Sequence, residues 1–225
     1  MPLLGGAALA MWWDMAAGER AEFEDWHSHE HFHERMRIAG FRRGSRWASA
    51  DGGDGFFVMY ELEAYDTLTS PGYLASLNNP TPWSKKMMPH HRNMVRSQCR
   101  VAGSHGGGLG SDMMTLTLSP APGREEELQA HLLALLARVP RRPGLTAGHL
   151  LRTQDPGIAK TTEERIRGGD AVADWIVLAC AYDAAALRDL ALKEFDAPSL
   201  SVAGAGPGQK VSFFRLRYAM TPEDL

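Results

Sequence analysis

Apolar and polar positions are distributed along this chain so that two runs of elements share one order. Ala7–Met15 is apolar apart from Asp14 and predicts a first strand, with Gly18 beyond it as a breaker. Ala21–Met36 is rich in Glu and Arg, has neither Gly nor Pro, and predicts a helix that Gly40 closes. Phe41–Ala50 and Phe56–Ala64 read as strands joined through Asp51-Gly52-Gly53-Asp54-Gly55, a hairpin turn. Asp66–Leu77 is helical with an interruption at Pro71-Gly72. Asn78–Trp83 is read as loop because Pro80 and Pro82 exclude helix at and before their positions. Arg92–Val101 closes this run as a strand.

Gly103–Gly110 holds five glycines and reads as a linker. A phosphate-binding loop is the sharper alternative, but a strand follows it, so no helix N-terminus is on offer. Met113–Leu118 alternates Thr with apolar residues and predicts a strand. Gly123–Arg138 follows as a helix, with Glu125, Glu126 and Glu127 in its first turn, where they suit the macrodipole. Leu145–Thr153 is a strand, Gln154–Asp170 a polar exposed loop, and Ala173–Tyr182 a strongly apolar strand. Ala184–Phe195 is a helix with Asp183 as its N-cap. Ala197–Gly208 is a Pro/Gly loop and Val211–Ala219 the last strand.

Each run is therefore β-α-β-β-α-β, the ferredoxin-like order. The expected domains are residues 1–103, a linker over 104–110, and residues 111–225. Phe56–Leu62 and Trp175–Ala181 are apolar on both faces. One face would be covered by each half's own helices, and the other needs cover as well. Packing the two sheets face to face supplies it. The expected fold class is α+β: tandem ferredoxin-like halves forming an intrachain barrel of the dimeric α+β type.

Length and composition fit this picture. The 225 residues are 44% hydrophobic and 23% charged, ordinary for a chain with a real core. A net charge of −3 gives no electrostatic reason to expect nucleic acid or an anionic membrane as partner. Cys99 and Cys180 sit in separate strand segments and read as core thiols of a reducing compartment. Leu3–Met15 superficially resembles a signal sequence, but it lacks a basic leader and is too short to span a bilayer. A cytoplasmic protein is expected.

Titratable chemistry concentrates in Trp26-His27-Ser28-His29-Glu30-His31-Phe32-His33-Glu34-Arg35, which holds four of the nine histidines. On a regular helix, at about 100° per residue, His29 and His33 share a stripe with Trp26, Phe32 and Met36. His27 and His31 fall on the other side, near Glu34, and read either as a solvated face or as an acid–base or metal pair. A helical pair supplies two ligands only and His29-Glu30-His31 lacks metalloprotease spacing, so no metal site is assigned. The buried-charge alternative has Glu34 and Arg35 pairing with Arg46 or Glu61 on the following strands. Arg92, Arg96 and Arg100 share one strand face, as do Arg215 and Arg217; a charged edge strand accounts for them, with a basic pocket lining as the alternative. Tyr60 belongs to a buried face, where its hydroxyl needs a partner. Trp83 either caps a pocket or plugs the end of the barrel.

The spacing Trp26-His27-x-x-Glu30-His31-x-x-Glu34-Arg35-x-x-x-x-Gly40-Phe41-x-x-x-x-Arg46-Trp47, with Asn78–Trp83 as a second block, resembles a signature of EthD-like proteins of the dimeric α+β barrel superfamily. It covers roughly residues 7–102. His33 and Ala39 depart from it, each standing where the signature has proline. The resemblance implies the fold and leaves the reaction open, since superfamily members range from monooxygenases and haem enzymes to proteins without known activity.

Two readings follow. In the first, the protein is a small-molecule enzyme of the EthD or monooxygenase-like type, with a pocket between sheet and first helix. His27, Glu30, His31 and Glu34 are its candidate catalytic residues; Trp26, Arg35, Arg46, Tyr60 and Trp83 are its candidate ligand contacts. In the second, the barrel binds a small ligand or is structural, and the cluster is architectural. No cofactor is required by the sequence, a haem would need an axial histidine in a large apolar cavity that the sequence does not display, and a homodimer is allowed.

Overall fold

A computed structural model describes residues 3–225. Eight strands form one closed, antiparallel sheet in the order β1-β3-β2-β8-β5-β7-β6-β4. No described helix is long and apolar enough to cross a membrane.

The first compact unit comprises residues 4–100, 154–172 and 217–225. Its β1 (Ala7–Met15) lies between β3 (Gly55–Leu62) and β4 (His91–Gly106), and β2 (Phe41–Ser49) pairs with the far side of β3. Register sets the faces. Leu9, Met11 and Trp13 lie on one side with Val58, Tyr60 and Leu62, in a single apolar cluster with the helices. Trp12 and Phe57 stack on the opposite side, with ring centroids 4.8 Å apart. Burial of both faces explains why these strands read as nearly continuous apolar runs.

Three helical segments cover the first side: α1 (Arg20–Trp26), a π turn (His27–His31) and α2 (Phe32–Met36). Gly40, at φ +92°, then turns the chain into β2 against Thr67; a side chain there would be strained and would meet the threonine. Gly44 lets α2 approach the sheet. A Cβ at Gly44 would lie 2.3 Å from Phe32 Cε1 and 2.9 Å from Tyr60 Cε1. Gly44→Ala is accordingly expected to destabilise by about 1–3 kcal/mol, read as a lower urea midpoint; an unchanged midpoint would mean that Phe32 swings aside freely.

α3 (Pro71–Asn78) and α4 (Pro82–Met87) complete this layer. The expected loop over Asn78–Trp83 therefore ends early. Pro82 sits at the first helical position, where its missing N–H costs nothing, and Thr81 caps it by accepting from the Ser84 N–H at 3.0 Å.

The second unit comprises residues 101–153 and 173–216 with Leu3. It repeats the order: β5 (Asp112–Leu118) lies between β7 (Trp175–Ala181) and β8 (Lys210–Met220), and β6 (Leu145–Thr153) pairs with β7. α5 (Glu125–Leu136) buries Leu128, Leu132, Leu135 and Leu136. α7 (Ala184–Glu194) starts at Asp183, which accepts from the Ala185 and Ala186 N–H groups. The stretch expected to be loop after Phe195 contains α8 (Ala197–Val202), nucleated by Asp196, which accepts from the Ser199 N–H. Cys99 and Cys180 are buried thiols.

Candidate functional site

The π turn decides which side chains can act together. The Phe32 N–H donates to the His27 carbonyl, five residues back. Such a turn advances less angle per residue than an α turn, so residues four and five apart share a face. Trp26, His27, His31, Phe32 and Arg35 all become buried, while His29 is exposed and His33 partly so. The faces expected of a regular helix are thus reversed for the histidines: His27 and His31 turn inward, and His29 and His33 outward.

Below this face, against β1 and β3, lies a cavity of about 40 Å³, room for about three waters. Leu9, Met11, Trp13 and Trp26 form its apolar wall. Its polar lining begins with His31. Burial and the nearby Arg35 guanidinium push the His31 imidazole down to about 3, so it is neutral. Its Nδ1 has no hydrogen-bond partner and faces Glu34 Oε2 at 3.5 Å. Burial raises the Glu34 carboxyl above its ordinary range. Tyr60 also lines the cavity; its hydroxyl is buried without a partner, and burial drives its phenol far up.

Arg35 is 2% exposed and needs a counter-charge. The strand residue expected to supply one, Glu61, is taken by Arg43, which donates to both carboxylate oxygens at 2.8 and 3.0 Å. Arg35 instead donates to Glu163 Oε1 at 2.6 Å and to Ser76 Oγ. Burial works against its charge, but Glu163 outweighs that and holds the guanidinium above its usual range. Glu163 belongs to α6 (Thr162–Arg167), inside the segment expected to be exposed loop. This segment is pinned to the first unit: Ala171 bridges to Val95, the Arg96 N–H donates to the Ala171 carbonyl at 2.8 Å, and the Thr162 N–H donates to Asn78 Oδ1 at 3.1 Å. Arg167 follows Glu163 by one helical turn and forks onto Asp170 at 3.1 and 2.7 Å.

Two further groups complete the lining. His91 is buried, edge-on to Trp13 at 4.8 Å, with Nδ1 3.0 Å from the Met88 carbonyl. Burial lowers it to about 3 even though that carbonyl favours its protonated form. Arg96 donates to the Tyr73 hydroxyl at 2.8 Å. In a closed barrel β4 is no edge strand, so the edge explanation of its arginines fails. Arg92 and Arg100 are exposed, and Arg96 faces the cavity.

Of the sequence candidates, His31, Arg35, Tyr60 and Trp26 therefore meet at one cavity, and Glu34 stands behind His31. The others do not line it. His27 packs among Phe23, Trp26 and Phe32, and its ring stacks on His31 at 5.3 Å. Glu30 is a clasp, accepting from Trp26 Nε1 at 3.1 Å and from Thr81 Oγ1 at 2.6 Å. Arg46 donates to the Glu24 carbonyl and Ser28 Oγ, holding helix to sheet. Trp83 donates to Glu22 at 3.1 Å. Tyr73, His91, Glu163 and Arg167 escaped sequence reasoning. Thr161-Thr162-Glu163-Glu164 matches a helix-start pattern that signals α6; His91 and Tyr73 carry no comparable signal. Among the described residues, no group of three or more His, Cys, Asp or Glu is placed to hold a metal ion.

No family model and no curated protein sequence matches this chain. Solved structures do. An anthrone oxidase-like protein aligns over 99% of this chain and 96% of its own, with TM-score 0.65 and 9% identity. A provisionally named monooxygenase from Fusobacterium nucleatum aligns over 97% and 96%, with TM-score 0.62 and 6% identity. The chain has the dimeric α+β barrel fold. Its structural neighbours include proteins named as oxidase-like or as monooxygenases, in line with the fold to which the sequence resemblance pointed. A "major regulator of staphylococcal pathogenesis" shares the fold as well, with TM-score 0.52, 9% identity and coverage of 92% and 98%. At such identities the likeness is one of fold.

Proposed function

We propose that this protein is a cytoplasmic small-molecule enzyme of the monooxygenase-like type, acting by proton abstraction in the cavity beneath the π turn. The observation that carries this reading is a neutral, buried imidazole beside a carboxylate, in the same cavity as a hydroxyl without a partner. A proton on His31 Nδ1, aimed at Glu34, leaves Nε2 as the basic nitrogen. His31 takes a proton from an acidic C–H of an enolisable substrate, and Tyr60 donates to the oxygen on which charge develops. With dioxygen as co-substrate, the CH₂ becomes C=O: one oxygen atom enters the product, and the other leaves as water with the two hydrogens. Arg35 and Glu163 hold the wall, and Glu34 orients the base. These residues all belong to one chain, so activity is expected at dilutions where any homodimer has dissociated.

The test measures dioxygen consumption with small enolisable ketones and keto acids, alongside deuterium exchange at their acidic carbon. His31→Asn is expected to lower kcat about 10²–10⁴-fold, with the fold retained by circular dichroism. Unchanged kcat in a folded variant removes His31 from the chemistry. The small size of the cavity favours a second reading, a non-catalytic ligand-binding barrel. Binding without either turnover or exchange would select it.

A further inference from the structure

The polar groups around this cavity are unbalanced toward donors. Trp13 Nε1 can only donate; it is buried and has no partner. The Tyr60 hydroxyl is buried and has none either. The Arg96 guanidinium has a single hydrogen-bond partner among the described residues, the Tyr73 hydroxyl, and no carboxylate within ion-pair distance. All three residues line the cavity. The carboxylate side is already committed. Glu163 is the carboxylate in the lining; Arg35 takes one of its oxygens at 2.6 Å, and Arg167 lies 3.7 Å from the other. Asp170, just behind, is forked by Arg167. Arg35 and Arg167 thus each have a carboxylate partner, whereas Arg96 has none within ion-pair distance among the described residues.

Unpartnered buried donors are costly, and a guanidinium beside a cavity gains from a carboxylate in direct contact. An acceptor-only anion serves both. From this excess of donors we infer that the cavity binds the carboxylate of a small organic acid, with Arg96 as counter-ion and Trp13 as a further donor, Tyr60 being kept for the reacting oxygen. A carboxylate has three heavy atoms, which matches the room for about three waters. Guanidinium–carboxylate contacts are also among the stronger hydrogen bonds a protein makes. The inference deepens the proposed function by giving the charge and size of the substrate's head group. It rests on that reading only for the cavity being the active site. Binding tests it without turnover, so failure of the chemistry and failure of this inference are separable.

The experiment follows the indole N–H resonance of Trp13, assigned with Trp13→Phe, by two-dimensional NMR. Sodium acetate and its neutral isostere acetamide are titrated at constant ionic strength. Acetate is expected to shift the Trp13 signal with Kd in the millimolar range, suited to so small a ligand, and acetamide to bind at least roughly tenfold more weakly. Arg96→Gln is expected to erase that preference, and Arg96→Lys to keep it in part. If Arg96→Gln does not fold, the wild-type comparison of acetate with acetamide and the response of Arg96→Lys decide the matter. Equal shifts from acetate and acetamide, no shift from either, or a folded Arg96→Gln that titrates like the wild type would each overturn the inference.

Discussion

Replacing Glu163 with alanine is expected to destabilise the protein by about 3–5 kcal/mol, out of a total of about 5–15 kcal/mol for a typical domain. The ion pair with Arg35 is 2.6 Å long, with side chains 3% and 5% exposed. Truncating the acid leaves a guanidinium deep in the first unit with, among the described residues, only the Ser76 hydroxyl as hydrogen-bond partner. Coulomb attraction and desolvation nearly cancel in an intact buried pair, so the penalty falls on breaking one side. A double variant, Arg35→Met with Glu163→Leu, removes both charges and is expected to recover most of the loss. The non-additivity of the single changes measures the coupling. Urea unfolding of the four proteins checks this. Should Glu163→Ala stay within about 1 kcal/mol of wild type, Arg35 is not held by Glu163 in solution.

A second large effect is expected from acidification. His27, His31 and His91 are buried in one aromatic cluster, and burial lowers all three. For His31 and His91 the folded value is about 3, against about 6.5 when unfolded. Between those values the unfolded chain binds more protons than the folded one. Stability is therefore full above about pH 6.5 and is lost as pH falls through the window, at up to about 1.4 kcal/mol per pH unit for each imidazole. Glu34 and Glu61, whose carboxyls burial raises, act with the opposite sign just above the ordinary carboxylate range and offset part of the loss. Denaturation midpoints in a pH series should fall steeply below about pH 6. His27→Leu keeps the packing, removes one titrating ring and should flatten the slope. A stability that is level from neutral pH to about pH 5 contradicts the burial of these rings.

Much of the architecture is legible because it rests on local patterns. β1 and β6 are bounded by composition, and Asp183 announces α7 by a capping geometry that needs only its neighbours. The pairing of halves follows from strands apolar on both faces, a demand for cover that any reader of Phe56–Leu62 can see. The site is less legible for two physical reasons. A π turn changes the angular period of the helix, and nothing in Trp26–Arg35 marks where the period changes; the inward pair is consequently His27 and His31 rather than His29 and His33. The counter-charge of Arg35 is long-range. Glu61 is nearer in sequence on the following strands, but in the fold Arg43 takes both of its oxygens.

That long range has a consequence for how the chain is made. Arg35 and Glu163 are 128 residues apart in sequence. At typical translation rates, roughly 6–26 s separate their synthesis. By the end of that interval β1 to β4 and the first helices have all been made, while Arg35 still lacks its acid. The nascent first half is thus held short of its final state until α6 emerges. Ribosome-stalled chains ending before residue 163 should remain protease-sensitive, while those ending well beyond it should resist. The acid that completes the pocket would then also time the moment at which the newborn protein becomes resistant to degradation.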